Sequence, residues 1–129
     1  MADTPLYLLI GGADGLRALV DRFYDCMDTS SEATHIRALH PESLEQSREK
    51  LFMFLSGWSG GPALYVEQYG HPRLRQRHMP FSIGAVERDE WLWCMGRALD
   101  ESSFDVETIA YLKSRFAEVA DFLRNRPEE

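Results

Sequence analysis

The apolar residues of this chain recur with a helical period and with no other. Leu16, Leu19, Val20, Phe23, Tyr24 and Met27 follow the i, i+3, i+4 spacing of a helix that buries one face, which predicts a helix from about Ala13 to Asp28. Ser47, Leu51, Phe54, Leu55 and Trp58 share one face of a second helix, which should start after Pro41. There Ser43, with Gln46 three residues on, has the form of a capping box, in which each side chain satisfies the other's free backbone N–H. The rhythm returns from about Ser82 through Val86, Trp91, Met95, Ala98 and Leu99. It returns once more from about Asp105 to Asn125, through Val106, Ile109, Leu112, Phe116, Val119, Ala120 and Leu123. A short segment, Ala33 to Leu39, holds one or two turns. No stretch alternates with period two for long enough to make a strand, so the expected fold is all-α.

Gly11-Gly12 and Gly60-Gly61-Pro62 break the pattern, because paired glycines favour turns and proline cannot continue a helix. Pro62 to Pro80 reads as the least regular stretch, with three prolines, a glycine and the run from His71 to His78. Repeats, low-complexity tracts and linkers are absent from the pattern, and residues 1–129 read as one domain. With 44% apolar residues, a core can form without disulfides. The formal net charge of −7 argues against binding nucleic acid or an anionic membrane, which are themselves negative. Leu6 to Ile10 is far shorter than the roughly 20 residues of a membrane span and follows no basic leader, so a cytoplasmic protein is expected.

Cys26 and Cys94 lie far apart in sequence, both beside apolar residues and outside any C-x-x-C spacing. They read as buried, reduced thiols. His78 sits where a short helix must stop, between Arg77 and Met79-Pro80-Phe81. Such a histidine is either a capping or surface imidazole or a metal ligand whose second nitrogen donates to a backbone carbonyl. Position alone leaves both readings open.

The company His78 keeps is informative. Phe23-Tyr24, Gly60-Gly61-Pro62, the run Gly70-His71-Pro72-Arg73-Leu74-Arg75-Gln76-Arg77-His78-Met79-Pro80-Phe81, and Arg88-Asp89-Glu90-Trp91-Leu92 follow in that order. This ordered set resembles the group II truncated haemoglobins over nearly the whole chain, most specifically from Gly70 to Leu92. The resemblance implies a two-over-two helical sandwich around haem b (iron protoporphyrin IX), with His78 as the iron ligand through a neutral imidazole. Since protonation would take the lone pair, ligation should fail in acid.

The same resemblance assigns Tyr24 and Trp91 as donors over the sixth iron position, where they would stabilise a bound ligand that draws negative charge from iron. Ser47 and Leu51 correspond to the distal positions nearest the ligand, one leaving an entrance and the other forming an apolar wall. Phe54 and Leu55 continue that surface, Phe81 adjoins the proximal histidine, and Trp58 reads as packing. Lys50, Tyr65, His71 and Arg77 correspond to positions that reach the haem propionates, which favour cationic or hydrogen-bonding neighbours. The chain departs from the family at the corner before the distal helix, where His40 stands in place of the frequent Tyr or Phe. The connector from Asp28 to Pro41 is also longer. His40 is expected to face the distal pocket, with the sixth position usually open; His35 is a second candidate for that position.

The implied function is binding of dioxygen, nitric oxide or carbon monoxide, for transport or sensing. The alternative is a haem-dependent redox enzyme, such as a nitric oxide dioxygenase or a peroxidase-like catalyst, which would need a separate reductase. No residue is diagnostic of an enzyme. Three rivals compete. A zinc site would have to use His71 and His78 without a cysteine pair. An RNA-binding module would rest on Arg73, Arg75 and Arg77 in an acidic chain lacking interleaved aromatics. A helical adaptor would give no reason for Tyr24, His78 and Trp91 to occur together.

Overall fold

Gly11 and Gly12 take φ values of 90° and 66°, a left-handed turn that side chains oppose. That turn separates helix α1 (Leu6–Leu9) from α2 (Gly12–Thr29). The structure is a computed structural model and describes residues 5–125. After α2 come a 3₁₀ turn (Ser31–Ala33), α3 (Thr34–Ala38), α4 (Glu45–Trp58), α5 (Leu64–Tyr69), α6 (Leu74–His78), α7 (Ala85–Asp100) and α8 (Val106–Leu123). No strand occurs among the described residues, as the apolar period requires.

The four long helices make two layers. α2 packs on α4, α7 packs on α8, and α2 crosses α7 to join the pairs. Leu16, Leu19, Val20 and Phe23 of α2 meet Met95, Ala98 and Leu99 of α7 and Leu112 and Phe116 of α8 in one core, each at most 4% exposed. Polar clamps fix the pairs at their rims. Arg48 of α4 reaches Asp21 and Asp25 of α2, at 3.2 and 2.7 Å. Arg22 Nε of α2 donates to the Ala98 carbonyl of α7 at 3.1 Å.

Four local expectations change. The Ser43–Gln46 capping box does not form. Leu44 is buried, so the helix starts beside it, and Ser43 Oγ accepts only the Glu45 N–H, at 3.3 Å. A reciprocal carboxylate acts at α7 instead, where Glu87 accepts the Gly84 N–H at 2.8 Å and sets the helix start at Ala85 rather than Ser82. The stretch from Pro62 to Pro80 holds two short helices. Pro62, Pro72 and Pro80 flank α5 and α6 without interrupting them. α8 begins one residue later than expected because Asp105 caps it, accepting the Thr108 N–H at 2.8 Å.

Gly15 is the tightest joint. It lies on α2 directly against the Ile10 carbonyl, and a Cβ there would collide with that backbone oxygen. Gly15→Ala should therefore push α1 from α2 and destabilise the protein by about 1–3 kcal/mol. Val106→Ala, at a position 82% exposed, should stay within about 0.5 kcal/mol. Urea unfolding midpoints of the two variants against the parent check this.

Candidate functional site

α6 is only five residues long and cannot hold its own shape by helix propensity. It is held from outside. Arg75 donates to the Phe122 carbonyl at 2.7 Å, and Arg77 Nε to the Pro72 carbonyl at 2.7 Å. Arg73, before the helix, takes φ 47°, unusual for a residue with a side chain, and its N–H donates to His71 Nδ1 at 3.2 Å. Asn125, beyond α8, is the strongest clamp. Its amide donates to the carbonyls of His78 at 3.2 Å and Phe81 at 2.8 Å, and its oxygen accepts the Ile83 N–H at 2.9 Å.

These contacts fix His78 at the last turn, where its Nδ1 lies 2.6 Å from the Leu74 carbonyl. A carbonyl only accepts, so Nδ1 carries the proton and Nε2 keeps its lone pair, free to bind a metal. The capping and ligand readings thus merge, because the bond that caps α6 also selects the ligating tautomer.

His40 follows α3 and has the same form: its Nδ1 donates to the Ile36 carbonyl at 2.9 Å. It lies near His78, and its ring centroid is 5.9 Å from that of Tyr24. Burial holds its pKa below the ordinary imidazole value, and the charges of Arg37 and His78 act in the same direction against the opposing Ile36 bond. His35 points elsewhere. It is bound to Glu90 at 2.7 Å, while the other Glu90 oxygen accepts the Ile36 N–H at 2.9 Å. Glu90 thereby ties the His40 corner to α7.

Tyr24 is 5% exposed and packs edge-on to Phe23 at 4.8 Å, and burial raises its phenol pKa well above the usual range, with Arg48 opposing. Trp91 packs against Phe23 at 4.9 Å and Phe116 at 5.8 Å. Neither the Tyr24 hydroxyl nor the Trp91 indole N–H has a hydrogen-bond partner among the described residues. Ser47 and Leu51 are half-buried on α4, and Phe54 meets the Tyr65 ring at 6.3 Å. Leu55, expected beside Phe54, turns into the core at 3% exposure, and Trp58 stacks on Phe116 at 5.2 Å as packing.

Lys50 and Arg77 are exposed and lie over the rings of Tyr69 and Tyr65, at 5.5 and 5.6 Å. Tyr65 is buried among those rings, and His71 is exposed. Met79, Phe81 and Val86, around the end of α6, remain 54%, 42% and 51% exposed. Exposed apolar side chains close in sequence to an imidazole with a free lone pair suit an apolar ligand carrying a metal. The zinc reading loses its basis, since among the described residues no three His, Cys, Asp or Glu side chains converge. No helix among them is long and apolar enough to cross a membrane.

Sequence reasoning missed Asn125 and Glu90 as positioning residues. Both act through backbone groups distant in sequence, and neither has a signature that periodicity detects.

Residues 5–125 match the family model described as bacterial-like globin. The chain is 36% identical over 119 residues to the group 2 truncated hemoglobin YjbI of Bacillus subtilis, spanning 91% of this chain and 86% of that protein. Among solved structures it resembles the cold-adapted truncated hemoglobin of Pseudoalteromonas haloplanktis TAC125, with TM-score 0.94, 40% identity and coverage of 96% and 100% of the two chains. The group II 2-on-2 hemoglobin of Agrobacterium tumefaciens is as close in shape, with TM-score 0.94, 42% identity and 98% coverage of each chain.

Two outcomes are expected. Asn125→Ala, which leaves three backbone groups without their partner, should lower stability by about 1–3 kcal/mol in urea unfolding. The second concerns pH. The folded-state pKa of His40 is depressed, so its contribution is complete above the unfolded value of about 6.5 and declines as pH falls through the folded one. Between about pH 8 and about pH 5, His40→Phe should lose less of its unfolding free energy than the parent does.

Proposed function

Because the chain belongs to the bacterial-like globins, as a truncated haemoglobin of group II, we propose that it binds dioxygen or another diatomic ligand at the iron of a haem b held by His78. The observation that carries this assignment of the iron ligand is the 2.6 Å contact of His78 Nδ1 with the Leu74 carbonyl, which leaves Nε2 as an oriented electron-pair donor. When bound, the haem supplies an iron whose sixth position takes the gas.

The residues of the chain divide the remaining work. Met79, Phe81, Leu51 and Phe54 offer apolar surface to the macrocycle, and Ser47 leaves room at the entrance. Lys50 and Arg77 bring positive charge toward the haem carboxylates, with Tyr65 and His71 as hydrogen-bonding neighbours. The donors toward a bound gas are the Tyr24 hydroxyl and the Trp91 indole N–H, both without other partners.

His40 has a different part. With Nδ1–H committed to Ile36 and the ring kept neutral by burial, its Nε2 accepts and does not donate. It lies beside the Tyr24 ring, facing the distal pocket, and the sixth position is assigned as open. A bis-histidine spectrum in the ferrous protein, abolished by His40→Ala, would refute the open position.

His78→Gly should abolish the strong Soret absorption of the haem-reconstituted protein, or convert it to that of loosely bound haem, and added imidazole should restore it. An unchanged spectrum would refute His78 as ligand. Tyr24→Phe removes one donor, worth roughly 1–2 kcal/mol, so oxygen release measured by stopped flow should accelerate roughly tenfold.

A further inference from the structure

Cys26 and Cys94 play no part in the site just described, yet the fold brings them together. The crossing of α2 and α7 is pinned where Arg22 Nε donates to the Ala98 carbonyl at 3.1 Å. One helical turn forward from Arg22 on α2 is Cys26, and one turn back from Ala98 on α7 is Cys94. The two thiols thus stand in register across the crossing, close enough for Cys26 to act on the Cys94 thiol. Both are free thiols; Cys94 is fully buried and Cys26 half-buried at the edge of the core. Of the two buried, reduced thiols expected, both are reduced and Cys94 is buried, while Cys26 is half-buried.

Their environments differ in a way that orders their chemistry. Burial pushes the Cys94 thiol up to about 12, with Cys26 and Glu90 adding to the effect and Arg97 opposing it. Cys94 is thus a poor first nucleophile, sealed from solvent. Cys26 is the thiol that a small oxidant can reach.

We propose that Cys26 and Cys94 are a peroxide-sensitive pair that closes to an intramolecular disulfide between α2 and α7. In the first step the Cys26 sulfur, as thiolate, attacks hydrogen peroxide. The O–O bond breaks, an S–O bond forms, and the departing hydroxide leaves as water with the thiol's proton, giving a sulfenic acid at Cys26. In the second step the Cys94 sulfur attacks the Cys26 sulfur. The S–O bond breaks, the S–S bond forms, and the hydroxide takes the Cys94 proton to leave as a second water. One peroxide accepts the two electrons that the two thiols lose. The product cross-links the helices that carry Tyr24 and Trp91, holding those donors at a fixed spacing.

The test treats the haem-loaded protein with hydrogen peroxide, alkylates the remaining thiols, and maps tryptic peptides by mass without reduction. We expect a linked Cys26–Cys94 peptide lighter by two hydrogens, no alkylation of either cysteine, reversal by dithiothreitol, and a thermal midpoint several degrees above the reduced form. In Cys26→Ser, Cys94 should stay reduced under the same treatment. In Cys94→Ser, dimedone should label Cys26. The proposal is overturned if both thiols remain alkylatable, if Cys26 proceeds to sulfinic acid while Cys94 stays free, or if the link joins two copies of the chain. Because the readout is on sulfur, the outcome does not depend on which residue holds iron.

Discussion

The crossing of α2 over α7 is the constraint from which the rest of the molecule follows. Phe23, with no exposed surface, sits at that crossing and touches both Tyr24 and Trp91. Two side chains with polar tips are thereby aimed from two different helices by packing one apolar ring. The α2–α4 and α7–α8 pairs are joined through this contact, so the two-over-two arrangement and the direction of the distal donors are one packing decision. A change of side-chain volume at Phe23 would move both, because interiors at native density transmit small shifts.

The proximal side is built on the opposite principle. There the chain is short, largely exposed and poor in core contacts, and hydrogen bonds to backbone groups replace packing. Arg75 and Asn125 reach between α6 and the end of α8, and Arg77 and His71 close the turn before it. Such a segment opens more readily than the core helices. His78, proposed as the iron ligand, would keep its tautomer fixed by the Leu74 carbonyl on this short, tethered helix. The α2–α7 side is therefore held by packing and the α6 side by tethers, and a haem held as proposed would meet one wall of each kind.

How far the sequence carried the reading depends on what each feature rests upon. The four long helices were legible because an apolar stripe of several turns repeats often enough to be counted. α1 and α5 were not, and α6 was legible only as a short helix ending at His78, since each is at most six residues long and holds less than two turns of pattern. Asp105 lay inside the expected span of α8, yet its carboxylate is the cap, a one-residue difference that only backbone geometry resolves. His78 and Tyr24 were visible through the ordered motifs around them. The tautomer of His40 was hidden, because it depends on which ring nitrogen meets the Ile36 carbonyl. The meeting of Cys26 with Cys94 was hidden as well, for it is set by the register of two helices separated by most of the chain.

The site is also where the chain departs from rules it obeys elsewhere. Among the described residues, Arg73 alone of the non-glycines takes positive φ. Met79, Phe81 and Val86 expose apolar surface within a few residues of one another. The Tyr24 hydroxyl and Trp91 indole end without partners in helices whose other faces are closely packed. Each departs from the packing that the rest of the chain follows. A sequence that is locally consistent along α2, α4, α7 and α8 and inconsistent around one slot has been shaped at that slot by something outside itself. A flat, apolar, carboxylate-bearing ring with a metal at its centre answers all of these departures together. Held as proposed, it would cover the apolar side chains, use the free Nε2 of His78, and bring a ligand to the two idle donors. That convergence is a stronger physical argument for the haem than any one of its contacts, because a structural explanation would have to account for each departure separately.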